Sequence, residues 1–142
     1  VLKRNITYED FNGERVTETF YFNFTKTEIV ELELGYEGGM EAALQRIIKA
    51  ENLKALVEEF KKIVLMAYGE RSEDGKRFIK NDDIREAFSQ TAAYDALFME
   101  LATDEDAAAT FIKGVVPADL TRELAKIETV ELPQPPIPPP VS

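Results

Sequence analysis

The stretch that decides the fold is residues 2–24, LKRNITYEDFNGERVTETFYFNF. Leu2, Ile6, Tyr8, Val16, Phe20, Phe22 and Phe24 all occupy even positions. That is the alternation of half-buried strands, whose successive side chains point to opposite faces. The Asn12-Gly13 dipeptide suggests a two-residue type I′ turn that would pair Phe11 with Glu14. In that register even positions face odd ones, and the two apolar rows fall on opposite sides of the ribbon. A three-residue loop, Phe11-Asn12-Gly13, instead pairs Asp10 with Glu14 and brings both rows to one face. Gly13 then supplies the left-handed residue of a G1 bulge. Burial of one face outweighs the dipeptide signal, because a one-residue slip exposes every apolar side chain. The expectation is a bulged hairpin.

Beyond Phe24 the apolar period changes to that of helices. Thr25-Lys26-Thr27-Glu28 has the spacing of a capping box and predicts a short helix to about Leu34, stopped at Gly35. Gly38-Gly39 is a second break, and from Met40 a helix presents Met40, Ala43, Leu44, Ile47 and Ile48 on one face. Glu51-Asn52 interrupts that pattern. The strongest helix follows over residues 53–68 and ends at Gly69. Leu53, Leu56, Val57, Phe60, Ile63, Val64 and Ala67 form its apolar stripe, with Lys54, Glu58, Lys61 and Lys62 opposite. Residues 70–80 read as a polar loop with Asp74-Gly75 at its tip.

Asn81 or Asp82 can cap a helix carrying Ile84, Ala87 and Phe88, and Thr91 caps the next, with Tyr94, Leu97, Phe98 and Leu101 inward. Thr103-Asp104-Glu105-Asp106, a second capping-box candidate, opens a third helix that ends at Gly114. A final short helix is expected over residues 119–126. Residues 132–142 hold six of the seven prolines and should be extended polyproline II. The expected fold class is α+β: an N-terminal β-hairpin packed on a bundle of short α-helices, mostly helical, with a disordered or polyproline C-terminal tail. One globular domain is expected over residues 1–126, with the hairpin at 1–24 and the helical part at 25–126. A proline-rich tail covers 127–142.

A chain of 142 residues suffices for one core, and 44% hydrophobic with 31% charged residues is a globular composition. There is no cysteine and no histidine, which excludes disulfides and thiolate sites and removes the commonest general base and metal ligand. Asp82-Asp83 with Glu73 and Asp74 lack the alternating ligands and closing glutamate of a calcium loop. Glu58-Glu59 and Lys61-Lys62 lie on the polar side of their helix, where solvated pairing explains them. Gly35 to Gly39 is glycine-rich but has no P-loop lysine. No catalytic residue, cofactor or metal is therefore expected.

The longest apolar run, residues 63–68, is far short of the roughly 20 residues that span a bilayer. No secretory signal opens the chain, so a cytoplasm is the expected compartment. Asn5-Ile6-Thr7 and Asn23-Phe24-Thr25 match the glycosylation triplet, but without a signal they are read as strand composition. A net charge of −10 opposes nucleic-acid binding. The acid is uneven: residues 86–112 carry six acids and no base, and residues 28–41 carry five and no base. Short stripes of about ten residues are hard to bury fully in one small domain, and leftover apolar surface marks binding sites. Phe88, Tyr94, Phe98, Leu101 and Phe111 read either as core, the commoner role of such a set, or as leftover binding surface, and with Asp104 and with Pro136 and Ile137 of the tail they are the candidate partner-binding residues.

Several stretches also resemble a known family. They are Ile6-Thr7-Tyr8, Asp10-Phe11-Asn12-Gly13, Thr19-Phe20-Tyr21-Phe22-Asn23, Ala67-Tyr68-Gly69-Glu70-Arg71-Ser72, Asp74-Gly75-Lys76-Arg77-Phe78-Ile79 and Leu97-Phe98-Met99-Glu100-Leu101-Ala102-Thr103-Asp104. Together they resemble the tail assembly chaperones of long-tailed, siphovirus-type bacteriophages, in particular those infecting Gram-positive bacteria, over roughly residues 4–117. The resemblance is an overall similarity without a catalytic fingerprint. It implies a protein that binds the tape measure protein, a very long helical rod with much apolar surface, and keeps it soluble before the tail tube polymerises.

The resemblance further implies recruitment of tail tube protein, action in the host bacterial cytoplasm and absence from the mature virion. It implies that this chain is the shorter of two forms, the longer arising by a ribosomal frameshift. That longer form and a homo-oligomer join the expected partners, while nucleic acid and membrane do not. The proline-rich end matches no family residue. Two other readings compete: an acidic DNA-mimic inhibitor of a host protein, motivated by the −10 charge, and an enzyme built on buried carboxylates. A mimic should space its acids along one face, whereas most here lie near capping positions or alternate with bases.

Overall fold

The first two strands, β1 (Leu2–Glu9) and β2 (Arg15–Phe22), pair antiparallel from Leu2↔Phe22 to Glu9↔Arg15. Even positions thus face even positions. The Asp10 N–H donates to the Glu14 carbonyl at 2.8 Å, the Gly13 N–H donates to the Asp10 carbonyl at 3.0 Å, and Gly13 has φ +80°. This is the three-residue loop with a left-handed glycine. The Asp10 carboxylate secures it by accepting from the Asn12 and Glu14 N–H groups, each at 2.9 Å. Ile6, Phe20, Phe22 and Phe24 are buried on the even face. The odd face is a solvated ladder in which Thr7 meets Thr17 at 2.8 Å and Thr19 donates to Asn5 at 2.7 Å.

The structure, a computed structural model, describes residues 1–115, apart from the side chains of Glu41, Leu44, Gln45, Ile47 and Ile48. The expected helix over 119–126, the domain limit at 126 and the tail lie outside the described residues. Helix α1 (Lys26–Leu34) starts in the expected capping box and ends at Gly35. Gly38 and Gly39, with φ +77° and +95°, make the break before α2 (Met40–Lys49). Of the face expected there, Leu44, Ile47 and Ile48 fall among the side chains not described. Glu51 takes a positive φ of 53°, and the Asn52 side chain then caps α3 (Leu53–Ala67) by accepting from the Ala55 N–H at 3.1 Å.

The segment expected to be a polar loop is a second hairpin. Helix α3 stops at Ala67, and Tyr68 turns directly into β3 (Tyr68–Arg71), which returns as β4 (Phe78–Ile79). The sheet order is β1-β2-β3-β4, with β3 joined to β2 through Tyr21↔Gly69 and Phe22↔Tyr68. Strands of four and two residues are too short to display an alternation, and their partner is a remote strand, so the local pattern carries no sign of them. Gly69 is therefore a strand residue rather than a helix stop. A Cβ there would lie 2.4 Å from the Phe78 ring and 2.9 Å from the Ile79 carbonyl oxygen. At the tip, Gly75 has φ +73°, and the Asp74 carboxylate accepts from Ser72 Oγ at 2.6 Å and from the Lys76 N–H at 3.0 Å.

Helix α4 (Asp82–Ser89) is capped by Asn81 and α5 (Ala92–Thr103) by Thr91, whose side chains accept from the Ile84 and Tyr94 N–H groups at 2.8 and 3.1 Å. Helix α6 (Glu105–Val115) departs from expectation at both ends. Its cap is Asp104, which accepts from the Asp106 and Ala107 N–H groups at 3.0 and 3.1 Å. Thr103 belongs to the last turn of α5 and donates to the Met99 carbonyl at 2.6 Å. One extended residue separates the two helices, and only Asp104 stands in it. The helix also continues through Gly114, whose Cβ position would lie 2.8 Å from a Leu2 methyl.

Helices α5 and α6 pack on β1, α4 packs against β3, and α3 lies beside α4. Phe22 is wholly buried at the centre, with ring centroids of Phe111, Tyr68 and Phe88 at 5.2, 5.7 and 5.8 Å in edge geometry. Tyr68 and Phe88 stack at 4.0 Å. Lys80, after β4, closes the other side. Its Nζ donates to the Asn23 carbonyl and to Glu28 Oε2, both at 2.7 Å, and lies 4.8 Å from the Phe24 ring centroid. The other Glu28 oxygen accepts from the Thr25 N–H at 2.9 Å, so one carboxylate serves the α1 cap and the second hairpin together. Burial pushes the Glu28 carboxyl up, but the hydrogen bonds from Lys80 and Thr25 and the Lys80 charge outweigh it. The group is held below its ordinary value of 4.5.

Two measurements follow from this packing. Gly69→Ala is expected to lower stability in urea unfolding by about 1–3 kcal/mol, because the added methyl overlaps the Phe78 ring and a fixed carbonyl. The depressed Glu28 carboxyl contributes stability that is present above pH 4.5 and is lost as pH falls through its folded value. The urea midpoint should therefore drop more steeply between pH 5 and 3 in the wild type than in Glu28→Gln, and equal slopes would count against the clasp.

Candidate functional site

The apolar stripe of α3 outruns the core beneath it. Its C-terminal half is enclosed, with Val64 and Ala67 at 0% exposure. Leu53 is 73% exposed and Val57 43%, although both continue the same face at i, i+4 spacing. The sheet reaches only the end where α3 runs into β3, and α2, which also packs on α3, leaves Leu53 and Val57 exposed. Phe60, half-buried one turn further on, meets the Phe98 ring of α5 at 6.2 Å between centroids, and Phe98 meets Tyr94 at 6.3 Å. Leu53, Val57, Phe60 and Phe98 thus form one apolar strip from the free end of α3 to the outer side of α5. Leu34 and Met99 are further exposed apolar side chains.

The residues singled out from the sequence divide sharply in the structure. Phe88, Leu101 and Phe111 are core residues at 3%, 3% and 0% exposure, and in this conformation they offer no surface to a partner. Tyr94 and Phe98 stand at the rim, and Phe88, Tyr94 and Phe98 form a row leading from the centre outward. The Tyr94 hydroxyl is buried without a hydrogen-bond partner among the described residues, and burial, with the nearby Asp95 charge, raises its pKa. Asp104 is exposed but is occupied as the cap of α6. Pro136 and Ile137 lie outside the described residues. Leu53 and Val57, placed on the α3 stripe by the sequence, are exposed. Their sequence signal is a stripe of nearly four turns, longer than the neighbouring elements can cover.

The charge is unevenly placed along the chain. Residues 40–67 carry five basic and four acidic residues, a net +1 in a chain of net −10. Lys54 and Lys61 are exposed beside the Leu53–Val57 stripe, and neither has an ion-pair partner among the described residues. Two clefts open among the described residues. One, of about 330 Å³, lies between α1, α3 and α4 and includes Glu28, Tyr36, Lys62 and Arg85. Here the Tyr36 hydroxyl donates to Glu59 at 2.5 Å and accepts from Lys62 at 3.2 Å, while Arg85 Nε is buried without a hydrogen-bond partner among the described residues. The other, of about 450 Å³, opens where β2 and β3 part beyond Tyr21↔Gly69. Among the described residues no cluster of three or more acids could hold a metal ion, and no helix is long and apolar enough to cross a membrane.

Comparison with known protein families matches residues 1–136 to a family described as phage tail assembly chaperone. No curated protein and no solved structure matches the chain.

The division between core and rim is open to direct measurement. Phe88→Ala, Leu101→Ala and Phe111→Ala should each cost about 2–5 kcal/mol in chemical unfolding, the range for emptying a filled core site. Leu53→Ser and Val57→Ser should stay within about 1 kcal/mol, since both side chains already face water.

Proposed function

This chain belongs to the phage tail assembly chaperone family, and from that premise we propose that it binds the tape measure protein and keeps it soluble until the tail tube assembles. The observation that carries the reading is the family match over nearly the whole chain, together with the stretches that resemble such chaperones of siphovirus-type phages of Gram-positive hosts. Recruitment of tail tube subunits, action in the host cytoplasm and exclusion from the mature virion belong to the same proposal, as does a longer frameshifted form.

The physics suits such work. A holding protein lowers the free concentration of an aggregating client by mass action, and needs exposed apolar surface rather than reactive groups. The apolar strip with the Tyr94 and Phe98 rim supplies surface of that kind, and the −10 charge favours solubility of a complex. The acids of α4 and α6 sit largely in first turns, at Asp82, Asp83, Glu105 and Asp106, where helix ends account for them without a DNA-like face. We read the protein as a non-enzyme.

Co-expression with the tape measure protein of the same phage tests the proposal. The soluble fraction of the client should rise several-fold with this chain present, and the two should elute together from a sizing column. A client equally insoluble with and without the chain would sink the idea.

A further inference from the structure

We infer that the strip Leu53, Val57, Phe60 and Phe98 is a docking surface for an amphipathic helix whose apolar face is flanked by acidic residues. The argument starts from shape. Leu53, Val57 and Phe60 follow one another at i, i+4 and i+7 along α3, and Phe98 extends the row onto α5. A straight row of apolar side chains spaced by helical turns fits the face of another helix, whose ridges repeat at the same spacing. The first two members are largely exposed, so docking requires no opening of the core.

Charge supplies the chemistry of the partner. Lys54 and Lys61 are seven residues apart and therefore lie along one line of α3, about a quarter-turn from the Leu53–Val57 row and at the near edge of the polar face. Both are exposed, and neither has an ion-pair partner among the described residues. Glu58 lies farther round the helix from the apolar row than either lysine. Complementarity at a rim sets the choice of partner more than its affinity, and two unpaired lysines beside an apolar row select acidic flanks. The global field points the other way. A chain of net −10 attracts basic ligands at long range, so a preference for acidic flanks can arise only from local contact. As an account of which surface the natural client uses, this inference rests on the chaperone reading, whereas the peptide preference does not.

The experiment uses the full chain and two labelled amphipathic peptides about five turns long, alike in a leucine face but flanked by glutamate in one and by lysine in the other. In fluorescence anisotropy at low salt the glutamate-flanked peptide should bind roughly tenfold more tightly. Lys54→Glu with Lys61→Glu should reverse that order. Leu53→Ser with Val57→Ser should abolish binding of both peptides while leaving the thermal unfolding midpoint near that of the wild type. Preference of the wild type for the lysine-flanked peptide overturns the inference, as does unchanged binding by the serine variant. If the serine variant binds the peptides normally but turns an oligomer into monomers, the strip is an interface between copies and the inference again fails. Co-expression separates this from the function proposed above. A wild type that fails to hold the tape measure protein removes that reading and leaves the peptide result standing, while a serine variant that holds the client as well as wild type removes only the surface.

Discussion

The wholly buried ring of Phe22 meets Tyr68 from β3, Phe88 from α4 and Phe111 from α6 at centroid separations between 5.2 and 5.8 Å. Each contact is of the edge type that aromatic quadrupoles favour, and each joins the first hairpin to a different part of the chain. The hairpin register follows from this requirement, because only the even-to-even pairing turns Phe22, Phe20 and Ile6 to the same side. The second hairpin depends on it as well. Tyr68 can stack on Phe88 at 4.0 Å only if the chain leaves α3 as a strand alongside Phe22, which brings Gly69 against the Phe78 ring.

A core centred there has a limited reach. It covers the sheet-proximal end of α3, where Ile63, Val64 and Ala67 are buried, and it leaves the distal turn with Leu53 and Val57 uncovered. The same geometry separates the charges. Acidic residues begin α4 and α6, where helix dipoles favour them, whereas the α2–α3 stretch has a small excess of base. The Leu53–Val57 end of the apolar strip therefore lies in a stretch of small basic excess, while Phe98 stands in the base-free stretch 86–112.

Glu28 shows how local and distant demands meet in one side chain. As the N3 residue of a capping box it needs one carboxylate oxygen for the Thr25 N–H. Its second oxygen takes the Lys80 ammonium, which also serves the Asn23 carbonyl and lies over the Phe24 ring. A local helix signal thereby becomes the anchor of the β4–α4 connection, and part of the desolvation cost of burying Lys80 is offset by two hydrogen bonds.

The sequence by itself determined whatever is settled within a few residues. The bulged hairpin follows from parity and one glycine, and α1, α3, α4 and α5 begin at caps whose side chains lie next to the N–H groups they accept from. Asp104 rather than Thr103 caps α6, because the last turn of α5 claims the threonine, and that depends on where the preceding helix ends. Only the tertiary structure decided the β3–β4 hairpin, since six strand residues carry no readable period and their pairing partner is β2. It also decided which apolar residues are surface. Phe88 and Phe111 and the pair Leu53 and Val57 all sit on clear helical stripes. Periodicity says which face of a helix is apolar, but how much of that face is covered depends on how far the neighbouring elements extend.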